Sequence, residues 1–551
     1  MFNNKKLVTW FLLILVFILA TFLRFYNLSS FPVGFHQDEA SLGYNGYSLM
    51  LTGKDDNGNK LPLYIDMFGD NRPSGYHYLT ILPVKVFGLN EFATRFPGAL
   101  FGSITIFAMY LLAYSIFKSK KLGLLSSLFI AISPWHVSIS RASSETIVAL
   151  FFVILGFALI IYSQQKDKLK YVFWGTISLA LSFFFYHTPR VFVPLLYLML
   201  IIYLFCFVKE ISRRLKSSFI VSFLTLSVFA FALVFVIKGG TGRFSQVNIF
   251  GFPETKLVMA EQIREDGTAG TNILTTRLFH NKIINYSLAF VSNYFDYFTG
   301  KFLFISGGLP IWYLVPGMGL VYLIEFPFIV LGVIYLATNQ RKIYKIPLIW
   351  LLVAPVVASI TMDDIPNLQR AIVMLPAIEI IAAFGLIKFI SDRKGIIKQA
   401  AQLIIGLLFI FNFAYFMHQY FVHTKTHRTW YRNNGFKEMI KTVYKDYVNY
   451  DRIVVTKSEG GIYPLILFYT KYDPALYQKE GSTKDKDYAG FGKFFFVPQA
   501  CPSVDRDNRF PAGKIIYVDN GTCPDNSALD NKIKTIVNRE DGTKAFRIVY
   551  D

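Results

Sequence analysis

The sequence predicts a polytopic α-helical membrane protein of about eleven spans and juxtamembrane helices, with a small extracytoplasmic α/β domain at its C-terminal end. The 551 residues are 53% hydrophobic and only 17% charged, whereas about 25% of residues are charged in a typical soluble protein. Long apolar runs recur from residue 7 onwards, and the composition becomes polar from about residue 419. We therefore divide the chain into a membrane region, 1–418, and a C-terminal domain, 419–551.

The charged residues indicate a membrane surface rather than nucleic acid as the partner. The net charge of +20 comes from short clusters of Lys and Arg between the apolar runs. This pattern is typical of cytoplasmic loops and of contact with anionic lipids. The cysteines do not form a metal cluster. Cys501 and Cys523 both lie in the polar C-terminal region, where an extracytoplasmic location would allow a disulfide.

The first apolar run, 7–23, follows Lys5 and Lys6 and resembles a signal peptide, but no small-residue cleavage site follows it. We interpret it as an uncleaved span with a cytoplasmic N-terminus. The other predicted spans have lengths near the 17–25 residues that cross a bilayer. They lie near 93–117, 122–140, 144–162, 171–187, 191–208, 217–237, 313–337, 345–361, 369–390 and 398–418.

The segment 76–88 decides the sidedness of every later loop. It is short for a span and contains Pro83 and Lys85. If it does not cross the membrane, the basic loops all fall inside, as the positive-inside rule requires. These loops are 118–121, 166–170, 209–216, 341–345 and 393–398. We therefore predict a juxtamembrane or re-entrant helix over 76–88.

This topology gathers most polar motifs on the external face. Adjacent carboxylates, Asp38 and Glu39, lie in the first external loop, 24–92, and arginines recur at the external ends of later spans. Ionisable groups at membrane depth usually face a cavity or one another and mark function. Carboxylates beside arginines indicate a site that binds an anion and also needs a base. For any single arginine, snorkelling or a structural ion pair, such as Arg141 with Glu145, is an equal alternative.

The order of these motifs resembles a polyprenyl-phosphate-sugar glycosyltransferase of the GT-C superfamily. The resemblance is strongest to the group of dolichyl-phosphate-mannose–protein mannosyltransferases and aminoarabinose transferases, and it covers most of the membrane region. No Trp-Trp-Asp-Tyr-Gly motif is present, which disfavours transfer of a preassembled oligosaccharide. The matching residues are Asp38-Glu39, Gly53, Pro62, Arg72-Pro73, Phe87-Gly88, Glu91–Pro97, Ser133–His136, Ser140-Arg141, Tyr186-His187, Arg190, Arg370 and Pro376.

The resemblance implies an inverting transfer of one sugar to a hydroxyl acceptor on a protein, lipid or glycan of the cell envelope, at the external face of a bacterial plasma membrane. Its catalytic aspartate corresponds to Asp38, which we expect to act as the general base, with Glu39 orienting the acceptor or tuning that base. We expect the donor phosphate to be bound by Arg72, Arg141, Arg190 and Arg370. Candidate substrate contacts are His36, Tyr44, His136, His187, Asp363 and Asp364. For His136 and His187, a hydrogen-bonded histidine at a helix end is the plainer interpretation.

No cofactor is required by this interpretation. The aminoarabinose enzymes bind a metal through Glu and His, and we find no match for those ligands here, so use of a divalent metal stays open. The main alternative function is a transporter or flippase of a lipid-linked or anionic substrate. A transporter would place its charges near the bilayer midplane, whereas here they collect at one face. A non-catalytic assembly scaffold is a third alternative, although it would not need Asp38 and Glu39 beside the arginines.

Two further regions are predicted outside the membrane. The long external loop, 238–312, is expected to shape the donor or acceptor cavity and to be partly ordered. In the C-terminal domain, 435–447 reads as a helix, 462–470 as a short helix or an apolar strand, and 451–457, 494–497, 514–518, 533–537 and 546–550 as strands. This domain contains no catalytic constellation, so we expect it to recognise the acceptor, cover the site or act as a structural cap.

Overall fold

The chain folds into a bundle of apolar helices carrying a smaller region built on a β-sheet. We describe a computed structural model, which defines residues 4–208, 211–237, 239–480, 489–506, 513–524, 529 and 531–551. Lys209, in one predicted basic loop, and Lys238, at the start of the long loop, lie outside these residues. The predicted fold class, a helical membrane protein with a small C-terminal sheet region, is confirmed.

The first half of the membrane region contains ten α-helices and one hairpin within the described residues. The helices are α1 (Asn4–Phe25), α2 (Gln37–Thr52), α3 (Gly75–Phe87), α4 (Glu91–Phe117), α5 (Lys120–Ile132), α6 (Pro134–Ser140), α7 (Glu145–Lys166), α8 (Leu169–Ser182), α9 (Pro189–Phe207) and α10 (Arg213–Phe231). The hairpin strands are β1 (Tyr64–Met67) and β2 (Asp70–Pro73).

The long loop is mostly helical, and the second half of the bundle follows it. The loop helices are α11 (Gly242–Val247), α12 (Pro253–Thr268), α13 (Ile273–Phe279) and α14 (Lys282–Asp296). The later helices are α15 (Phe326–Thr338), α16 (Ile346–Val353), α17 (Val356–Ser359), α18 (Leu375–Ser391) and α19 (Gly395–Phe421). Gly332 of α15 faces the backbone of α18, and Gly385 of α18 faces that of α15, with no room for a Cβ at either. These glycines let the two helices pack closely, as small residues do between membrane helices.

Eight helical segments in the described residues are long and apolar enough to cross a membrane. They are Lys6–Phe25, Glu91–Phe117, Glu145–Lys166, Pro189–Phe207, Arg213–Val236, Lys342–Ser359, Arg370–Ser391 and Gly395–Lys425. The predicted span 122–140 is instead the pair α5 and α6, bent by 56°. The predicted span 171–187 overlaps α8, of 14 residues, and the predicted span 313–337 overlaps the apolar helical segment Leu323–Thr338, which includes α15. Both are shorter than the usual crossing length. The protein is an integral membrane protein, and its orientation stays a prediction.

The C-terminal region is an α/β unit with a mixed sheet. Its elements are α20 (Phe436–Lys445), β3 (Arg452–Thr456), α21 (Ile462–Thr470), α22 (Pro474–Glu480), β4 (Ala489–Phe491), β5 (Phe494–Val497), β6 (Ile515–Asn520), β7 (Ile533–Asn538) and β8 (Lys544–Tyr550). The strand order is β4-β5-β3-β6-β8-β7, with β3 parallel to β5 and β6. The predicted helix and strands are all present, and 462–470 is a helix. Cys501 and Cys523, for which the sequence left a disulfide open, form one.

The core of this unit continues into α2 of the membrane region. Phe35, Ala40 and Tyr44 share one buried apolar cluster with residues of α20, α21 and the sheet. The Tyr44 hydroxyl donates to the carbonyl oxygen of Tyr472 over 3.0 Å. The Gln478 amide donates to Ser48 and Thr52 on the same face of α2. The C-terminal unit therefore packs directly on the helix that carries Asp38.

Candidate active site

The N-terminus of α2 fixes the position of Asp38. His36 caps this helix, with its Nδ1 accepting from the Asp38 amide over 3.2 Å. Burial lowers the pKa of the His36 imidazole, although Asp38 and Glu39 act in the opposite direction. A neutral ring is consistent with Nδ1 acting as an acceptor. The ring stacks on Trp312, with centroids 4.3 Å apart.

Glu39, the residue after Asp38, forms a buried ion pair. Arg95 donates from Nε and one Nη to the two Glu39 oxygens, over 2.8 and 3.0 Å, and its side chain is fully buried. The Ser143 hydroxyl donates to the same carboxylate over 2.9 Å. Arg95 also donates to the carbonyl oxygens of Leu28 and Gly34. This geometry favours a role for Glu39 in holding the first turn of α2.

Arg72 lies among carboxylates from separate elements. It donates to Asp38 Oδ2 and to Asp70 Oδ2, each over 3.1 Å, and its Nη1 lies 3.8 Å from Glu145 Oε1. Burial alone would lower the pKa of the Arg72 guanidinium, but these carboxylates more than offset that effect and raise it. Arg72 therefore supplies the positive charge at the centre of an acidic cluster and orients Asp38.

A cavity of about 530 Å³ opens beside Asp38. It brings together α2, β2, the start of α7, the start of α9 and the segment before α18. Of the predicted site residues, it is lined by His36, Asp38, Arg72, His187, Arg190, Asp364 and Arg370. Several valine and isoleucine side chains, Val191, Val234, Val247, Val357 and Ile360, complete its wall. The cavity thus combines one polar end with an apolar surface.

Arg190 is the cavity arginine whose partners are all neutral among the described residues. It donates to the Phe183 carbonyl oxygen and, over 2.7 Å, to the Tyr64 hydroxyl, and it contacts His187 Nδ1 at 3.2 Å. Arg370, in contrast, forms an ion pair with Asp363 at 3.1 Å and donates to Thr361. The positive charge of Arg190 is therefore not balanced by a neighbouring carboxylate.

Other predicted site residues do not reach this cavity. Arg141 is fully buried and donates to the carbonyl oxygens of Leu23, Tyr26 and Phe31. It does not pair with Glu145, because its guanidinium is taken up by these carbonyl groups. Through these bonds Arg141 supports the segment after α1.

His136 and Tyr44 are also placed elsewhere. His136 is buried with its Nδ1 2.6 Å from an Arg24 nitrogen, which agrees with the plainer interpretation of this histidine. Tyr44 is only 1% exposed and contacts the C-terminal unit. Asp363 does not line the cavity and acts through its ion pair with Arg370.

Comparisons with known proteins agree with the resemblance seen in the sequence. Residues 71–237 match the family model of dolichyl-phosphate-mannose-protein mannosyltransferase. A protein of Aquifex aeolicus (strain VF5), described as uncharacterized, is 31% identical over 164 residues. That match covers 30% of this chain and 31% of the relative, so the chain spans about a third of it.

Solved structures extend the similarity to the whole fold. ArnT from Cupriavidus metallidurans bound to undecaprenyl phosphate superposes with a TM-score of 0.55 at 12% identity, over 100% of this chain and 98% of that one. The chain therefore has a fold like that of ArnT. The archaeal oligosaccharyltransferase AglB from Archaeoglobus fulgidus, in complex with an inhibitory peptide and a dolichol-phosphate, gives a TM-score of 0.54 at 15% identity. That match covers 85% of this chain and 64% of AglB.

The sequence alone did not point to two residues that line the main cavity. Glu145 and Trp312 both line the main cavity, yet Glu145 was considered only as a partner of Arg141, and Trp312 only as the end of the long loop. Glu145 could have been found from the sequence, because it lies at the start of a membrane helix and the candidate arginines also lie at the ends of membrane helices. Trp312 carries no such signal in the sequence.

The described residues were compared with the metal site that the resemblance leaves open. No group of at least three His, Cys, Asp or Glu side chains in the described part of the chain is arranged to hold a metal ion. Asp38, Asp70 and Glu145 instead face the Arg72 guanidinium. The proposed reaction therefore uses the side chains of the chain itself.

Proposed function

We propose that this protein is a membrane glycosyltransferase that moves a single sugar from a polyprenyl-phosphate donor to a hydroxyl acceptor. The observation that carries the proposal is the cavity that is lined by Asp38, Arg190 and Arg370 together with apolar side chains. The match to the mannosyltransferase family model and the folds of ArnT and AglB support the same class of reaction. We place the reaction on the extracytoplasmic face because the basic loops are expected inside.

The donor phosphate is proposed to lie near Arg190 and Arg370. Arg190 presents an unbalanced positive charge at the cavity wall, and a guanidinium binds phosphate through parallel hydrogen bonds. Asp363 holds Arg370 in place through their ion pair. The polyprenyl chain would follow the apolar wall formed by Val234, Val247 and neighbouring side chains, towards the lipid between the spans.

Asp38 is proposed to act as the general base. The acceptor hydroxyl transfers its proton to the Asp38 carboxylate as its oxygen attacks the anomeric carbon. The bond from that carbon to the phosphate oxygen breaks, and its electron pair leaves on the polyprenyl phosphate, where Arg190 and Arg370 stabilise the charge. A single displacement of this kind inverts the anomeric carbon. Arg72 orients the base, while Glu39 and Arg95 position its helix.

The test compares polyprenyl-phosphate release by the full chain and by Asp38→Asn. Each protein is placed in lipid nanodiscs with a panel of polyprenyl-phosphate sugars and an envelope acceptor mixture. We expect the wild type to release polyprenyl phosphate and Asp38→Asn to be slower by about 10²–10⁴-fold, because it lacks a general base. Asp505→Asn, at an exposed position of the C-terminal region, is the matched control and keeps full activity.

Product analysis tests the remaining parts of the proposal. Mass spectrometry of the acceptor is expected to show the addition of one sugar, and NMR is expected to show an anomeric configuration opposite to that of the donor. Equal release by wild type and Asp38→Asn would exclude Asp38 as the base. Movement of a labelled lipid-linked sugar across proteoliposomes, without release of polyprenyl phosphate, would instead establish the transporter.

A further inference from the structure

A second cavity of about 210 Å³ lies beyond Trp312. Trp312 lines both this cavity and the main one. The second cavity is formed by the segment 305–318 and by the stretch 424–432, which follows the last membrane helix, Gly395–Lys425. It therefore opens where a membrane span ends and the C-terminal region begins.

The charged side chains of this second cavity are all basic. Its described lining includes His427, Arg428 and Arg432 and contains no Asp or Glu. Much of the remaining lining is apolar, with Ile305, Leu314, Val315 and Met318 among its side chains. A pocket that combines two arginines with apolar side chains suits an anionic molecule that also carries an apolar part.

Arg432 lies between the two cavities. Together with Trp312 it also lines a narrow space that is bounded by Asp38 and Glu145. Within the described residues, the Arg432 guanidinium makes no hydrogen bond or ion pair, and burial lowers its pKa below the ordinary value. Arg432 is partly exposed, whereas the Trp312 indole N–H is buried without an acceptor in the described structure. A buried donor without a partner is costly, so a ligand that accepts from the Trp312 N–H removes that cost, and an anion gains a charge-assisted contact with Arg432 as well.

We propose that this second cavity, lined by Arg428 and Arg432, binds an anionic acceptor through its phosphate or carboxylate group. The inference rests on the proposed function, since it names the substrate class of the acceptor. An anion bound there would place the rest of the acceptor beside Trp312, on the path to Asp38. Arg432 is then a specificity-determining residue, and the donor phosphate stays with Arg190 in the main cavity. The anion could belong to a lipid headgroup or to a water-soluble phosphate.

Binding measured without any donor tests this site separately from transfer. The full chain in nanodiscs of neutral lipid is titrated calorimetrically with dihexanoyl phosphatidic acid, with dihexanoyl phosphatidylcholine and with glycerol phosphate. We expect the phosphatidic acid to bind and the phosphatidylcholine to bind at least about tenfold more weakly, because one charge-assisted contact is worth about that factor. Binding of glycerol phosphate as tightly as phosphatidic acid would identify a water-soluble source, and much weaker binding would identify a lipid.

Variants assign the effect to Arg432. Arg432→Gln is expected to weaken phosphatidic acid binding at least about tenfold, and Arg432→Lys less, because it keeps the charge and loses the planar fork. Arg393→Gln removes the same charge at an exposed position beyond the other end of the Arg370–Ser391 span and leaves binding unchanged. Elution as a single species and an unchanged melting temperature show that each variant is folded.

The outcomes separate the two proposals. Equal binding of the anionic and zwitterionic probes, or unchanged binding in Arg432→Gln, overturns the anionic acceptor site. A loss of undecaprenyl phosphate binding in Arg432→Gln, with phosphatidic acid binding retained, also overturns it, because Arg432 would then belong to the donor. If phosphatidic acid binds through Arg432 but no donor ever releases polyprenyl phosphate, the anion site stands and the glycosyltransferase fails.

Discussion

The buried pair between Glu39 and Arg95 gives a quantitative prediction. Arg95→Gln leaves the Glu39 carboxylate in a buried place without its bidentate partner and removes donors from the carbonyl oxygens of Leu28 and Gly34. Breaking a buried ion pair by removing one partner costs about 3–5 kcal/mol. We expect that loss in the free energy of unfolding, measured by SDS titration in mixed micelles.

The double variant makes this prediction specific. Glu39→Gln alone leaves Arg95 charged and unpaired, so its loss should be similar. Glu39→Gln combined with Arg95→Gln removes both charges, and its loss should be smaller than the sum by about 2 kcal/mol or more. Arg264→Gln breaks the exposed pair with Glu261, whose side chains are 76% and 61% exposed, and serves as a control without a measurable effect.

The refuting results are equally definite. A loss below about 1 kcal/mol in Arg95→Gln is typical of a solvated pair and would contradict the buried geometry. Additive losses in the double variant would mean that the two side chains do not interact. If Glu39→Gln stayed as stable as the wild type but lost as much activity as Asp38→Asn, Glu39 would act on the substrate rather than as a positioning residue.

The remaining predictions concern the donor site and the C-terminal region. Arg190→Gln should raise the KM for the donor about tenfold or more by removing a charge-assisted contact, whereas Arg141→Gln should lower the melting temperature and leave that KM unchanged. Reduction of the Cys501–Cys523 disulfide, which joins residues 22 positions apart, should destabilise the C-terminal region by about 2–4 kcal/mol, measured by its protection from proteolysis with and without reductant. Tyr44→Phe removes one hydrogen bond between α2 and that region and should lower the unfolding free energy by about 1 kcal/mol without changing the donor KM. A change in the donor KM for Tyr44→Phe, or none for Arg190→Gln, would contradict the assignment of these residues.

The fold class could be predicted from the sequence because a membrane helix needs a run of about 20 mostly apolar residues, and such runs are visible in the sequence. The sequence also predicted that polar groups at span ends converge, and Asp38, Arg190 and Arg370 do line one cavity. The structure places Arg141 away from this cavity, because the carbonyl groups of Leu23, Tyr26 and Phe31 accept from its guanidinium. The sequence shows the depth of Arg141 at a span end but not which distant carbonyl groups lie beside it.

The hydrophobic pattern also does not distinguish a helix from a strand in some short elements. The apolar run 462–470 was equally compatible with a helix and a strand, since nine residues of one type carry little periodicity. Packing on α2 decides in favour of the helix, and that contact joins residues more than 400 positions apart, as between Tyr44 and Tyr472. Trp312 and Arg432 meet beside Asp38 for the same reason. Local sequence patterns do not predict such tertiary contacts.

The shared core between α2 and the C-terminal unit sets a rule for building chimeras with related proteins. A graft made at residue 419 would exchange α20, α21 and the sheet but keep Phe35, Ala40 and Tyr44 of the original protein. Side chains from two different proteins would then have to pack in the same core. An exchange that carries residues 35–52 together with the C-terminal unit keeps that interior intact. The same exchange also transfers Asp38, so α2 and the C-terminal unit have to be exchanged as one piece.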